Sequence, residues 1–100
     1  MNEIIWLPTA QKHLHAIYNW LAERSETAAT RLFNDILNET ERLTDFPEIA
    51  KKEPILKDFT KEFRALVVRK NFKIIYYIQA DKVYISAVWD CRQDPSKLQF

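Results

Sequence analysis

The sequence predicts an α+β fold: an N-terminal strand, then an antiparallel helical hairpin packed on one face of a mostly antiparallel meander sheet, in the order β-α-α-β-β-β. Three observations lead there. Apolar residues recur at three- and four-residue steps between Ala10 and Phe46, the spacing of one helical face. Beyond the loop from Pro47 to Pro54 the pattern changes to runs rich in Val, Ile, Tyr and Phe. Those runs are separated only by the short polar breaks Lys70-Asn71 and Ala80-Asp81. A chain of 100 residues, 47% of them hydrophobic, fits one domain spanning residues 1–100 and offers enough apolar surface to offset the entropy of ordering it.

The elements follow in order. Asn2 to Leu7 contains Ile4, Ile5 and Trp6, good strand formers, and Pro8 closes the run. From Thr9 to about Arg24, Ala10, Leu14, Ile17, Tyr18 and Leu21 make one helical stripe. Ser25, Glu26 and Thr27 supply capping-type side chains, and Leu32, Phe33, Ile36, Leu37, Leu43 and Phe46 form a second stripe that ends before Pro47. So short a connection folds the two helices back on each other. Three strands are expected at Phe63 to Arg69, Phe72 to Gln79 and Val83 to Asp90, with a possible short one at Ile55 to Phe59.

Two-residue hairpin loops would set Arg69 opposite Phe72 and Gln79 opposite Lys82. One face then collects Phe63, Ala65, Val67, Phe72, Ile74, Tyr76, Ile78, Val83, Ile85, Ala87 and Trp89, the expected core face. The other collects Arg64, Leu66, Val68, Lys73, Ile75, Tyr77, Tyr84, Ser86, Val88 and Asp90. The chain has no glycine, so Asn71, Asp81 and the prolines are expected to make the turns.

The net charge is +1 but unevenly spread. Residues 1–50 hold four Lys or Arg against eight Asp or Glu, residues 51–73 hold eight against three, and the rest balance. A basic middle suits phosphates or an acidic partner, although a charge run is more often a solvated face. The single Cys91 forms no internal disulfide, and the N-terminus has no basic start and apolar leader, so a cytoplasmic location is expected. No apolar run approaches the ~20 residues of a membrane helix. No glycine-rich phosphate loop, zinc-ligand spacing or serine elbow is present, so no cofactor and no metal are expected.

The candidate chemistry lies on the mixed sheet face. Arg64 and Tyr77 would be cross-strand neighbours, Lys73 one pair-step along, and Arg92 just past the last strand. Clustered cations stabilise charge developing on a phosphate, and a phenol or lysine can move a proton. The bland alternative, and the favoured one, is the wet side of a one-sided sheet. Asp90 and Asp94 flank Arg92 and could hold it in place. His13 and His15 point in different directions on a helix and are expected at the surface, and Cys91 is assigned no catalysis.

The order of elements and several motifs together resemble the RelE/ParE toxin superfamily over nearly the whole chain. The resemblance is carried by Leu14-His15-Ala16-Ile17-Tyr18, Leu43-Thr44-Asp45-Phe46-Pro47, Phe63-Arg64-Ala65-Leu66-Val67-Val68, Phe72-Lys73-Ile74-Ile75-Tyr76-Tyr77-Ile78 and Val88-Trp89-Asp90-Cys91-Arg92-Gln93-Asp94-Pro95. It implies a toxin held in check by a cognate antitoxin that wraps it. In the RelE-like branch the implied activity is a ribosome-dependent mRNA endoribonuclease, with Arg64, Lys73 and Arg92 at basic positions and a tyrosine such as Tyr77 assisting. This chain departs from that branch at Leu66, where a second basic residue is implied, and in lacking the tyrosine implied a few residues after Arg92. The ParE-like branch is non-enzymatic, and its implied target is DNA gyrase. The long helical hairpin, the Phe46-Pro47 pair and the small net charge are similar to that branch, whereas docking on ribosomal RNA calls for a strong positive excess. The ParE-like branch is therefore the favoured expectation, ahead of the RelE-like nuclease and a degenerate member that has lost toxicity.

Overall fold

Two amphipathic stripes cannot face water, and the chain buries both against one side of a sheet. The computed structural model describes residues 2–53 and 61–92. Its elements are β1 (Glu3–Trp6), α1 (Pro8–Ala22), α2 (Glu26–Glu41), β2 (Lys51–Lys52), β3 (Arg64–Val68), β4 (Phe72–Gln79) and β5 (Lys82–Asp90). The sheet order is β1-β5-β4-β3-β2, with β1 parallel to β5 and the other neighbours antiparallel. The expected α+β class and order of elements hold.

Pro8 opens α1 where a missing N–H costs nothing. The Ser25 hydroxyl caps α2 by accepting from the Ala28 N–H at 3.1 Å, and Glu26 in the first turn suits the positive end of the helix dipole. The second helix ends earlier than its apolar stripe, tightening into a 3-10 turn over Arg42–Thr44. Ile36, Leu43, Ile74, Tyr76, Val83 and Ile85 are all but sealed from solvent between helices and sheet. Burying each such side chain stabilises the fold by about 1.5–3 kcal/mol.

Three expectations about the sheet change. The Pro47 to Pro54 segment, expected as a loop, contains β2, whose Lys51 and Lys52 pair with Ala65 and Arg64. Two lysines carry neither alternation nor β-propensity, so only the edge of β3 recruits them. The possible strand at Ile55 to Phe59 lies outside the described residues.

The second change is the β3–β4 hairpin, which has three loop residues, so Val68 rather than Arg69 lies opposite Phe72. Arg69 and Lys70 enter the left-handed region at φ 51° and 67°. That one-residue slip turns β3 over. Leu66 and Val68 are buried under the helices, while Val67, placed in the expected core, is 52% exposed. Phe63 joins a cluster on the outer face with Ile75, Ala87 and Trp89.

The third is a β-bulge in β5: Ile75 faces Ala87 but Tyr76 faces Ile85, leaving Ser86 without a partner across the ladder. Beyond it the strand's sidedness inverts. Val88 packs in the main core, and Ala87 and Trp89 pack in the outer cluster, the reverse of the expected assignment. The β4–β5 hairpin keeps the expected register, Gln79 opposite Lys82. Its Ala80 and Asp81 both take positive φ, 51° and 63°, the combination of a type I′ turn. Asp81 was expected there; Arg69, Lys70 and Ala80 accept a conformation that costs a residue with a Cβ about 1 kcal/mol.

His13, expected at the surface, is half-buried and fills a structural gap. The β1–β5 ladder stops at Ile85, and three residues on the Val88 N–H donates to His13 Nδ1 at 3.2 Å. Nδ1 accepts only while it carries no proton, and burial lowers the His13 pKa below its usual 6.5. Below about pH 6.5 the unfolded chain therefore binds more protons than the folded one. Stability is fully present above that pH and is lost as pH falls through the folded value. Melting followed by circular dichroism is expected to show a lower Tm at pH 5.5 than at 7.5. His13→Asn, which keeps an acceptor but does not titrate, is expected to flatten that slope.

Candidate functional site

The four residues marked in the sequence do not converge. Arg64 lies opposite Tyr76, not Tyr77, and turns to the helix side of the sheet. Its Nη1 donates to the Ala50 carbonyl at 2.8 Å and to the Glu48 carbonyl at 3.4 Å, and only 18% of its side chain is exposed. Lys73 faces the opposite way, with Nζ 2.8 Å from the Glu53 carboxylate. Tyr77 shares that outer face but stands four residues along β4, about 13 Å away. It stacks on Tyr84 at 5.0 Å, meets Phe63 edge-on at 5.7 Å, and has the Lys61 ammonium 4.5 Å from its ring centre. Arg92 closes on Asp90, donating Nε to Oδ1 at 2.9 Å and Nη2 to Oδ2 at 2.7 Å. The expected cluster of Arg64, Lys73, Tyr77 and Arg92 on one surface is thus corrected by the slip in β3 and the bulge in β5.

Their electrostatics point the same way. Burial pushes the Tyr77 phenol above its usual pKa, with the Tyr84 phenol adding to it, so it stays protonated at neutral pH. Burial also pushes the Cys91 thiol up, against a smaller lowering by Lys73, the direction opposite to an activated thiolate. The Arg92 hydrogen bond holds the Asp90 carboxyl below its ordinary value, as expected of a residue that fixes Arg92; Asp94 lies outside the described residues. Among the described residues no three His, Cys, Asp or Glu side chains are grouped to hold a metal, and no helix is long and apolar enough to cross a membrane.

A groove of about 810 Å³ opens elsewhere, between the C-terminal half of α1, the β3–β4 turn and the end of β5. Ile17, Leu21, Leu32 and Phe72 give it an apolar floor, and Trp20, Arg69, Asn71, Asp90 and Arg92 line it as well. The walls are tied together. Arg69 Nε donates to Asp35 of α2 at 2.7 Å, and the Cys91 N–H donates to the Asn71 carbonyl at 2.6 Å. Trp20 is 52% exposed with the Arg24 guanidinium 4.2 Å over its ring, and the Arg92 guanidinium stands 5.7 Å from the Phe72 ring centre. Each guanidinium has five N–H donors, so Arg69 and Arg92 keep donors in reserve beyond their carboxylate partners. An apolar floor with such a rim fits a peptide segment carrying apolar side chains and carboxylates.

Of the groove residues, sequence reasoning had marked only Arg92 and its neighbour Asp90. Trp20 carried a signal: it sits one position off the Ala10, Leu14, Ile17, Leu21 stripe, where a large aromatic has no core to enter. Arg69 carried none, because its place depends on the three-residue turn.

The sequence matches the family model described as ParE toxin of type II toxin-antitoxin system, parDE, over residues 4–95. A search of curated proteins finds no match. Among solved structures, one described as a chromosomal ParDE TA system from P. aeruginosa superposes with a TM-score of 0.73 at 17% identity, covering 90% of this chain and 96% of that one.

Proposed function

The chain belongs to the ParE toxin family of type II toxin-antitoxin systems, and from that membership we propose that it halts growth by binding DNA gyrase and is neutralised by a cognate antitoxin. The observation that carries the choice over a RelE-like nuclease is the separation of Arg64, Lys73, Tyr77 and Arg92. A phosphoryl-transfer site needs its cations and proton carrier within reach of one phosphate. Here Arg64 is spent on two loop carbonyls, Lys73 faces away from it beside Glu53, and Tyr77 is stacked among aromatics. The groove between α1 and the sheet end supports the antitoxin half of the proposal, because its apolar floor and arginine rim match an amphipathic, acidic segment.

Induced expression separates the possibilities. Plasmid DNA from arrested cells is expected to be relaxed or cleaved and held by protein, while primer extension on mRNA shows no new ends. Codon-positioned mRNA cuts that vanish in Arg64→Ala and Lys73→Ala would establish the ribosome-dependent nuclease instead. Neither effect would mark a member without toxicity.

A further inference from the structure

Four large hydrophobic side chains stand exposed among the described residues, and two of them, Phe46 at 62% and Ile49 at 46%, are three residues apart in the segment after α2. The Ile49 N–H donates to the Phe46 carbonyl at 3.2 Å, a turn that puts both side chains on one protrusion. The backbone beneath is fixed. The Phe46 N–H reaches the Arg42 carbonyl at 2.9 Å, the Tyr76 hydroxyl donates to the Pro47 carbonyl at 2.7 Å, and Arg64 holds Glu48 and Ala50 from below. Neither Phe46 nor Ile49 belongs to a core cluster, so this scaffolding does not serve their burial. A buried tyrosine and a partly buried arginine hold an oily tip in water, which is how an anchor is prepared for a partner's pocket without an ordering cost on binding.

The tip also has a charge. Asp45 and Glu48 flank it, both exposed, and neither forms an ion pair among the described residues. Two exposed carboxylates repel nucleic acid but suit a protein surface that itself carries cations to grip phosphates. The tip and the groove beside α1 share no residue. We propose that Asp45–Ile49 is the surface by which this toxin seizes its protein target, inserting Phe46 and Ile49 into an apolar pocket rimmed by lysine and arginine on a DNA-contacting face. The identity of that target as gyrase rests on the proposed function above; the surface itself does not.

The test uses the full chain in two variants, Phe46→Ser with Ile49→Ser, and Asp45→Lys with Glu48→Lys. The readouts are growth arrest on induction, affinity for immobilised purified DNA gyrase, affinity for the cognate antitoxin, and thermal melting. Both variants are expected to lose gyrase affinity about tenfold or more and to relieve arrest, with antitoxin affinity and melting kept. Unchanged arrest in either folded variant, or antitoxin affinity lost in step with it, overturns the proposal. If the native chain arrests growth without binding gyrase and the variants still relieve arrest, the gyrase assignment falls and the surface stands.

Discussion

Replacing Arg64 with alanine is expected to cost about 2 kcal/mol of stability, because a charged donor leaves the Ala50 carbonyl unpaired where Ala50 is only 6% exposed. For a chain of this size that lowers Tm by roughly 10 °C. Arg64→Lys is expected to recover only part of the loss, since the lysine ammonium is one bond shorter than the Nη1 that reaches both Glu48 and Ala50 and is more strongly hydrated. Growth arrest is expected to weaken along with stability, because those carbonyls lie in the segment that displays Phe46 and Ile49. Tyr77→Phe, which keeps the stack on Tyr84, is expected to leave arrest unchanged. Melting curves set beside induced-growth assays check both. An Arg64→Ala protein that melts like the native one yet is harmless would return Arg64 to a role at the target.

Much of the architecture could be read directly from the residues, because it rests on period. The two helical stripes, the switch to strand composition and the Ala80-Asp81 hairpin are written in local spacing, and the fold follows them. The sides of β3 and of the end of β5 were not legible for one reason: each hangs on a single residue of register. Lys70-Asn71 looks like a two-residue loop, but Arg69 also leaves the ladder, and nothing in its type announces a positive φ. Ser86 is a small residue in a buried strand and gives no sign that the chain bulges there. A period of two magnifies such an error, since one slipped residue exchanges Arg64, Leu66 and Val68 with Ala65 and Val67 across the sheet. The surface that looked like a catalytic cluster was a product of that slip. The groove and the Phe46–Ile49 tip were hidden for other reasons: only packing brings Trp20 near Arg92, and Phe46 reads as the last member of the second helical stripe although the helical turns end at Thr44 and leave it exposed.

The groove yields the second large expected effect. Trp20 is half exposed at its edge and carries Arg24 on its ring, so truncation removes an aromatic anchor and the cation it positions while leaving the core intact. If the antitoxin lies in this groove, Trp20→Ala is expected to weaken its binding by about 2 kcal/mol, or roughly thirtyfold. Thermal melting of the free toxin is expected to shift little, since an exposed side chain contributes little to folding. Cells carrying both genes are then expected to arrest where the native pair grows, because the variant escapes its antitoxin but keeps its target surface. Titration calorimetry with purified antitoxin measures the loss directly. An affinity within about threefold of native would place the antitoxin on another surface, because no partner filling an apolar groove is indifferent to its largest exposed aromatic. Rescue of growth by antitoxin in Trp20→Ala together with failure of rescue in Phe46→Ser would exchange the two assignments: the tip would hold the antitoxin and the groove the target. The pair of variants therefore tests which surface restrains the toxin and which one kills.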